Sequence, residues 1–170
     1  MQENLAWLNA LDATEAEREL LKCCGSRAWA EKLAAQRPFG ETAELLRAAD
    51  EVWWSLGTQD WLEAFAAHPK IGGRHAEREQ SAQAQKWSEQ EQSGARDAEG
   101  STLDELAEAN RAYAEKFGHI FIVCATGKTA AEMLVLLRAR LSNDAATELR
   151  NAAGEQRRIT HLRLEKLLTT

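Results

Sequence analysis

The sequence has 170 residues, the length of one ordinary domain, and with 44% hydrophobic and 28% charged residues it is neither disordered nor fibrous. Lys and Arg number 21 against 27 Asp and Glu, a net charge of −6, which argues against a nucleic-acid binder that works by neutralising phosphates. No apolar run approaches the roughly 18 residues of a membrane span, so no membrane partner is expected. The opening stretch from Met1 to Glu17 has acids where a signal peptide has basic and then apolar residues. Cys23, Cys24 and Cys124 are too few for a disulfide framework, and a cytoplasmic location is expected.

Two prolines and heavy use of Ala, Leu, Glu, Gln and Arg favour helix. Asp12 followed by Glu15 resembles a capping box, and Leu20 and Leu21 continue that helix. Gly25-Ser26 breaks it, and Ser26 caps the next, with Trp29 and Leu33. Arg37-Pro38-Phe39-Gly40 is a second break. Leu45, Leu46, Ala49, Val52, Trp53 and Leu56 recur at helical spacing. Thr58 is expected to cap a short helix through Trp61, Leu62 and Phe65. That helix ends at Ala67-His68-Pro69, because the residue before proline is pushed out of the α region. Lys70-Ile71-Gly72-Gly73 reads as a turn, residues 74–100 are the most polar stretch, and Arg96 to Gly100 reads as a loop. Ser101 is expected to cap a long helix through Leu106 and Tyr113, ended by Gly118. The run His119 to Cys124 is apolar and β-branched but has no second strand to pair with, so it reads as a buried extended segment. Thr129 caps a helix through Met133 and Leu141, and Ser142-Asn143-Asp144 opens the last, reaching Leu168. The expectation is an all-α protein, one compact domain over residues 1–170 with about eight helices.

Several constellations carry chemistry or mimic it. Gly127-Lys128-Thr129 opens a helix after an apolar run, as in a phosphate loop, but the glycine required five residues earlier is Ile122. A turn glycine, a surface lysine and a threonine cap is the simpler reading. No His pair at helical spacing with a glutamate and no Cys-x-x-Cys occurs, so no metal site is expected. His68 sits where proline fixes the backbone beside it, and a ring held so can act as acid or base near neutral pH. Ser88 with Glu91 reads most simply as a solvated helix start. Arg163 stands out. At about 100° per residue with Ile159 at zero, Leu162 falls near 300°, Arg163 near 40° and Leu167 near 80°. Arg163 therefore points from the apolar arc, where a guanidinium needs an anion. An internal carboxylate, an anionic ligand and snorkelling to a nearby surface all stay open.

Taken in order, His68-Pro69-Lys70-Ile71-Gly72, Ser88-x-x-Glu91-Gln92, Phe117-Gly118-His119-Ile120-Phe121-Ile122, Gly127-Lys128, Glu132-Met133-Leu134 and Ile159-x-x-Leu162-Arg163-Leu164 resemble the 2-oxo-4-hydroxy-4-carboxy-5-ureidoimidazoline (OHCU) decarboxylases of uric acid degradation. Leu8-Asn9 and Arg37-Pro38-Phe39 extend the resemblance to nearly the whole chain. It implies an all-α fold and a decarboxylation to (S)-allantoin that uses no cofactor. It implies His68, Glu91 and Arg163 as catalytic residues. Pro69, Ser88 and Gln92 would line the substrate site, with Phe121, Ile122, Val123, Cys124 and Ala125 contributing largely through backbone groups. The implied partner is a small anionic ureidoimidazoline, and a homodimer is open. His119 departs from the Phe-Pro common in the family, and the longer interval from His68 to Ser88 leaves Glu89 and Glu91 as rivals. The competing reading is a non-catalytic helical domain binding a small anion or a protein, with tryptophans as anchors.

Overall fold

The structure, a computed structural model, describes residues 2–69, 82–95 and 100–170. The turn read at Lys70-Ile71-Gly72-Gly73, His75 and the loop residues 96–99 lie outside the described residues. Among the described residues the chain is all-α. It has nine helices: α1 (Gln2–Ala10), α2 (Ala13–Cys23), α3 (Arg27–Ala34), α4 (Thr42–Ser55), α5 (Thr58–Ala66), α6 (Ala82–Glu91), α7 (Gly100–Phe117), α8 (Ala130–Arg140) and α9 (Ala145–Leu167). A 3-10 turn spans Ser93–Ala95, and no strand occurs among the described residues. The sequence reading missed α1, in which Leu5 and Leu8 are the buried residues among those whose side chains are described, too little periodicity to read. Two starts differ from expectation. Thr58 is already helical, with the Gly57 carbonyl accepting from Asp60 and Trp61, and α7 begins at Gly100 rather than after Ser101.

Contacts divide the chain into two compact units. The first comprises residues 1–64 and 157–170. Two of its helices begin where the sequence offers a cap: the Asp12 carboxylate accepts from the Glu15 N–H at 2.8 Å, and the Ser26 hydroxyl from the Trp29 N–H at 3.3 Å. Each such cap satisfies a donor that the helix leaves orphaned, a gain of about 1 kcal/mol. α2 packs on α3 and α3 on α4. Trp29 is fully buried and its indole donates to the Ala49 carbonyl at 3.0 Å. Trp61 does the same to Trp53. Arg37 gathers carbonyls, donating to Leu8 and Leu11 at 2.7 Å and to Ala34 at 3.0 Å. The break around it is thus bonded to the ends of α1 and α3. Four of the six tryptophans are buried, whereas Trp7 and Trp54 are exposed.

The second unit comprises residues 65–156. α7 packs on α8, and one apolar cluster joins Leu106, Tyr113, Met133 and Leu137 of these helices to Phe121, Val123 and Ala125. Ile122 and Cys124 are buried outside that cluster. Alternate residues facing one core is the period-two signature of an extended chain, so the buried extended segment is present as expected. Gly118 ends α7 with φ +76°, a conformation that costs a side chain, and its N–H bonds the Ala114 carbonyl at 2.9 Å. α8 opens on a full capping box between Thr129 and Glu132.

Glu148 of α9 is wholly buried and is the hub of this unit. It accepts from the Tyr113 hydroxyl at 2.6 Å, from Asn143 at 3.1 Å and from Asn151 at 3.3 Å, and it pairs with Arg140. Burial pushes its carboxyl up. The hydrogen bonds from Arg140, Tyr113 and Asn143, with the Arg140 charge, outweigh burial and hold it below the usual carboxylate range. Burial and the bond to Glu148 push the Tyr113 phenol up. Removing one member of a buried pair strands the other. Glu148→Ala is expected to lower stability by about 3–5 kcal/mol, read as a fall in the urea midpoint. A midpoint equal to wild type would show that Arg140 finds another anion.

Candidate active site

His68 lies just past the end of α5, with its N–H bonded to the Phe65 carbonyl at 3.1 Å, which turns the chain ahead of half-buried Pro69. The residue is 8% exposed, and its ring Nε2 donates to Gln156 Oε1 at 2.6 Å. With Nε2 carrying the proton in the neutral ring, the basic lone pair is on Nδ1. An imidazole with one nitrogen fixed by a side-chain amide has its tautomer and ring plane set. Gln156 was not anticipated, although the helical wheel that singled out Arg163 also holds it: counted back from Ile159, it falls at about 60°. A fully buried glutamine on an apolar arc is the same kind of signal as a buried arginine.

Ala84, Trp87, Ser88 and Glu91 are the buried face of α6, spaced as one side of a helix. This corrects the simpler reading of Ser88 as a cap at a solvated helix start. Ser88 lies in the last turn of α6 at 4% exposure and Glu91 closes the helix at 8%, whereas Glu89 is exposed. Between the two rival carboxylates, Glu91 is therefore the inward one. Gln92 is half-buried and its N–H continues to the Ser88 carbonyl at 3.1 Å.

Immediately after α6 the 3-10 turn meets the segment following residue 125. A Cβ on Gly94 would stand 2.3 Å from the Lys128 carbonyl oxygen, closer than any side chain tolerates, so only glycine fits this crossing. Lys128 is not the surface lysine expected. It is half-buried, and its Nζ donates to the Cys124 carbonyl at 2.7 Å. The Cys124 thiol is pushed up by burial first, with the Glu91 and Glu155 charges adding to the rise. α6 and the extended segment thus belong to one neighbourhood.

The extended segment itself is chemically exceptional. Ile120 to Ala125 are all buried. The Ile122 carbonyl accepts from Arg140 at 2.7 Å and the Cys124 carbonyl from Lys128. Among the described residues, no acceptor meets the N–H groups of Phe121, Ile122, Val123, Cys124 or Ala125. The Thr126 N–H goes to the Cys124 sulfur. Buried backbone donors are nearly always paired, so a run of unpaired ones suits a ligand rich in carbonyl or carboxylate oxygen. His119 packs its ring against Phe65, Tyr113 and Phe117, with Nδ1 donating to the Ile120 carbonyl at 2.9 Å.

Arg163 belongs to the first unit. It is 3% exposed, which removes the snorkelling option, and it donates to the Lys22 carbonyl at 3.4 Å, near the end of α2. Its charge reaches Cys23 and Cys24, where burial dominates and pushes both thiols up, Cys24 to about 11. Among the described residues no three His, Cys, Asp or Glu side chains gather as a metal site, and no helix is long and apolar enough to cross a membrane.

Comparison with known proteins decides the family. The family model described as OHCU decarboxylase matches residues 9–165. The chain belongs to the OHCU decarboxylase family. It is 40% identical over 154 residues to the uric acid degradation bifunctional protein TTL of Arabidopsis thaliana, covering 90% of this chain and 47% of that one. It is 28% identical over 163 residues to the bifunctional protein PucL of Bacillus subtilis, covering 95% and 32%. The chain thus spans half the length or less of these two family relatives. A solved OHCU decarboxylase, crystallised in the presence of (S)-allantoin, superposes with a TM-score of 0.78 at 40% identity, covering 89% of this chain and 98% of that one. The family's all-α fold is the one seen here.

Gly94→Ala is expected to cost about 1–3 kcal/mol, the scale of overpacking against rigid backbone. A urea or thermal denaturation series checks this, and an unchanged midpoint would mean that the turn shifts freely away from Lys128.

Proposed function

We propose that this chain decarboxylates OHCU to (S)-allantoin in urate breakdown, as a carboxy-lyase that uses no cofactor. What supports this most is the buried His68 ring, oriented through Nε2 by Gln156, in a chain whose family membership extends over residues 9–165. The reading takes residues 1–170 as one decarboxylase domain. It places the protein in a reducing cytoplasm, in keeping with three free buried thiols.

The substrate class explains why so little apparatus suffices. One ring carbon carries a carboxylate and a hydroxyl beside a C=N bond. When the bond to the carboxylate breaks, CO2 leaves, and the electron pair forms a new carbon–carbon double bond while the C=N electrons move to nitrogen, which takes a proton. The resulting enol loses its hydroxyl proton, and the neighbouring carbon gains one on a single face. The substrate is its own electron sink, so the protein supplies orientation, charge stabilisation and directed proton transfer.

The roles follow from the chemistry of each group. His68 takes the hydroxyl proton through Nδ1, delivers the proton to carbon, or does both. Glu91 accepts hydrogen bonds from ring or ureido N–H groups. Gln92 and Ser88 pair with the ureido amide, beside Pro69. The N–H groups of Phe121 to Ala125 donate to substrate oxygens. Arg163 answers the negative charge, acting most where that charge moves in the transition state, since equal binding of ground and transition states adds nothing to turnover.

The deciding experiment is circular dichroism at the allantoin band, with urate oxidase and 5-hydroxyisourate hydrolase generating the intermediate in the cuvette. Wild type should give rapid growth of an (S)-allantoin signal, and His68→Ala should lower turnover by roughly 10²–10⁴. A slow racemic product equal to the enzyme-free control would replace decarboxylation with anion binding alone. Arg163→Met is expected to lose activity while keeping or raising the melting temperature, since an apolar isostere avoids desolvating a charge. Collapse of the fold in that variant would make Arg163 a structural cation.

A further inference from the structure

We infer that Arg140, locked by Glu148, is a positioning residue that fixes the main chain of residues 121–125 so that its N–H groups meet the substrate. This rests on the proposed function, in which the segment lines the substrate site. An extended strand in a sheet is located by its ladder, but this one has no partner strand among the described residues. Its side chains pack on both sides, with Phe121, Val123 and Ala125 in the α7–α8 core and Ile122 and Cys124 buried outside it. Core packing sets the depth of a chain but leaves rotation about its own axis loose, and that rotation decides where the N–H groups point.

Two cations remove this freedom. Arg140 Nη1 donates to the Ile122 carbonyl at 2.7 Å and Lys128 Nζ to the Cys124 carbonyl at 2.7 Å. These carbonyls are two residues apart, so in an extended chain they face the same edge, and that edge is pinned at two points. Arg140 is itself immobile. Its guanidinium pairs with Glu148, which is 0% exposed, and stacks over the Phe121 ring at 4.5 Å from the centroid. Arg140 therefore holds one residue's side chain and the next residue's carbonyl together. An aliphatic pair in place of Arg140 and Glu148 would fill the space without a desolvation cost. What it would lack is the directional bond to Ile122 and an acceptor for the Tyr113 hydroxyl.

The test uses the double variant Arg140→Met/Glu148→Leu, which removes both charges together and strands neither. Its melting temperature should fall less than that of Glu148→Ala, because no charge is stranded although the Tyr113 hydroxyl and the Ile122 carbonyl lose a partner. KM for OHCU should rise about tenfold, the scale of one charge-assisted hydrogen bond, with kcat changed less. Backbone hydrogen exchange at residues 121–125 should quicken, in the absence of any substrate. Arg140→Lys, which can still reach the carbonyl, should recover part of the KM loss. A stable double variant with wild-type KM and unchanged exchange at 121–125 would overturn the inference. Should the double variant not fold, Lys128→Met removes only the second pin and is measured in the same two ways. A raised KM with quicker exchange at 121–125 would then support the inference, and wild-type values for both would overturn it. A wild-type protein inactive on OHCU would instead defeat the proposed function, and the exchange comparison would still decide whether Arg140 holds the segment.

Discussion

A stretch of extended chain lies buried inside a protein that otherwise consists of helices. Helices satisfy their own peptide groups, and sheets satisfy one another's. Residues 120–125 can do neither, and every buried peptide group left unpaired costs free energy. Much of the second unit can be understood from that constraint. α7 and α8 pack against alternate side chains of the segment, Arg140 and Lys128 reach its carbonyls, and Glu148 exists in the interior because Arg140 does. In the proposed function, the N–H groups that remain donate to the oxygens of the substrate.

Helices place the side chains of the candidate site by two simple devices. His68 comes at a helix end, where the proline that follows forbids another turn and the bond to Gln156 orients the ring. Ser88 and Glu91 come from one face of α6, three residues apart. The end of α6 is in turn seated by the backbone crossing at Gly94. Charge is handled differently in each place. Glu148 is neutralised by a full set of donors, and Arg163 donates to the Lys22 carbonyl with its charge close to Cys23 and Cys24.

Much of this was legible in the sequence, and the failures have physical causes. Caps at Asp12, Ser26 and Thr129 are local chemistry, and the structure has all three. Arg163 could be singled out because a charge on an apolar arc violates a rule that needs no tertiary knowledge. Ser88 misled because a serine followed by a glutamate three residues on has the same pattern at the start of a helix as within one, and only the burial of Trp87 and Glu91 separates the two. Gln156 passed unnoticed because a polar neutral residue on an apolar arc draws less attention than a charge, although its burial is greater. Arg140 and Glu148 left no local trace, since their pairing depends on how the start of α9 meets the end of α8.

The three cysteines have a consequence for the protein's chemical lifetime. Oxidation by peroxide proceeds through the thiolate and depends on access. Cys23, Cys24 and Cys124 are buried, and all three hold their protons more tightly than a free thiol does. None offers the entry point for sulfenic acid that redox-regulated enzymes keep exposed. The three thiols therefore present peroxide with little thiolate to attack.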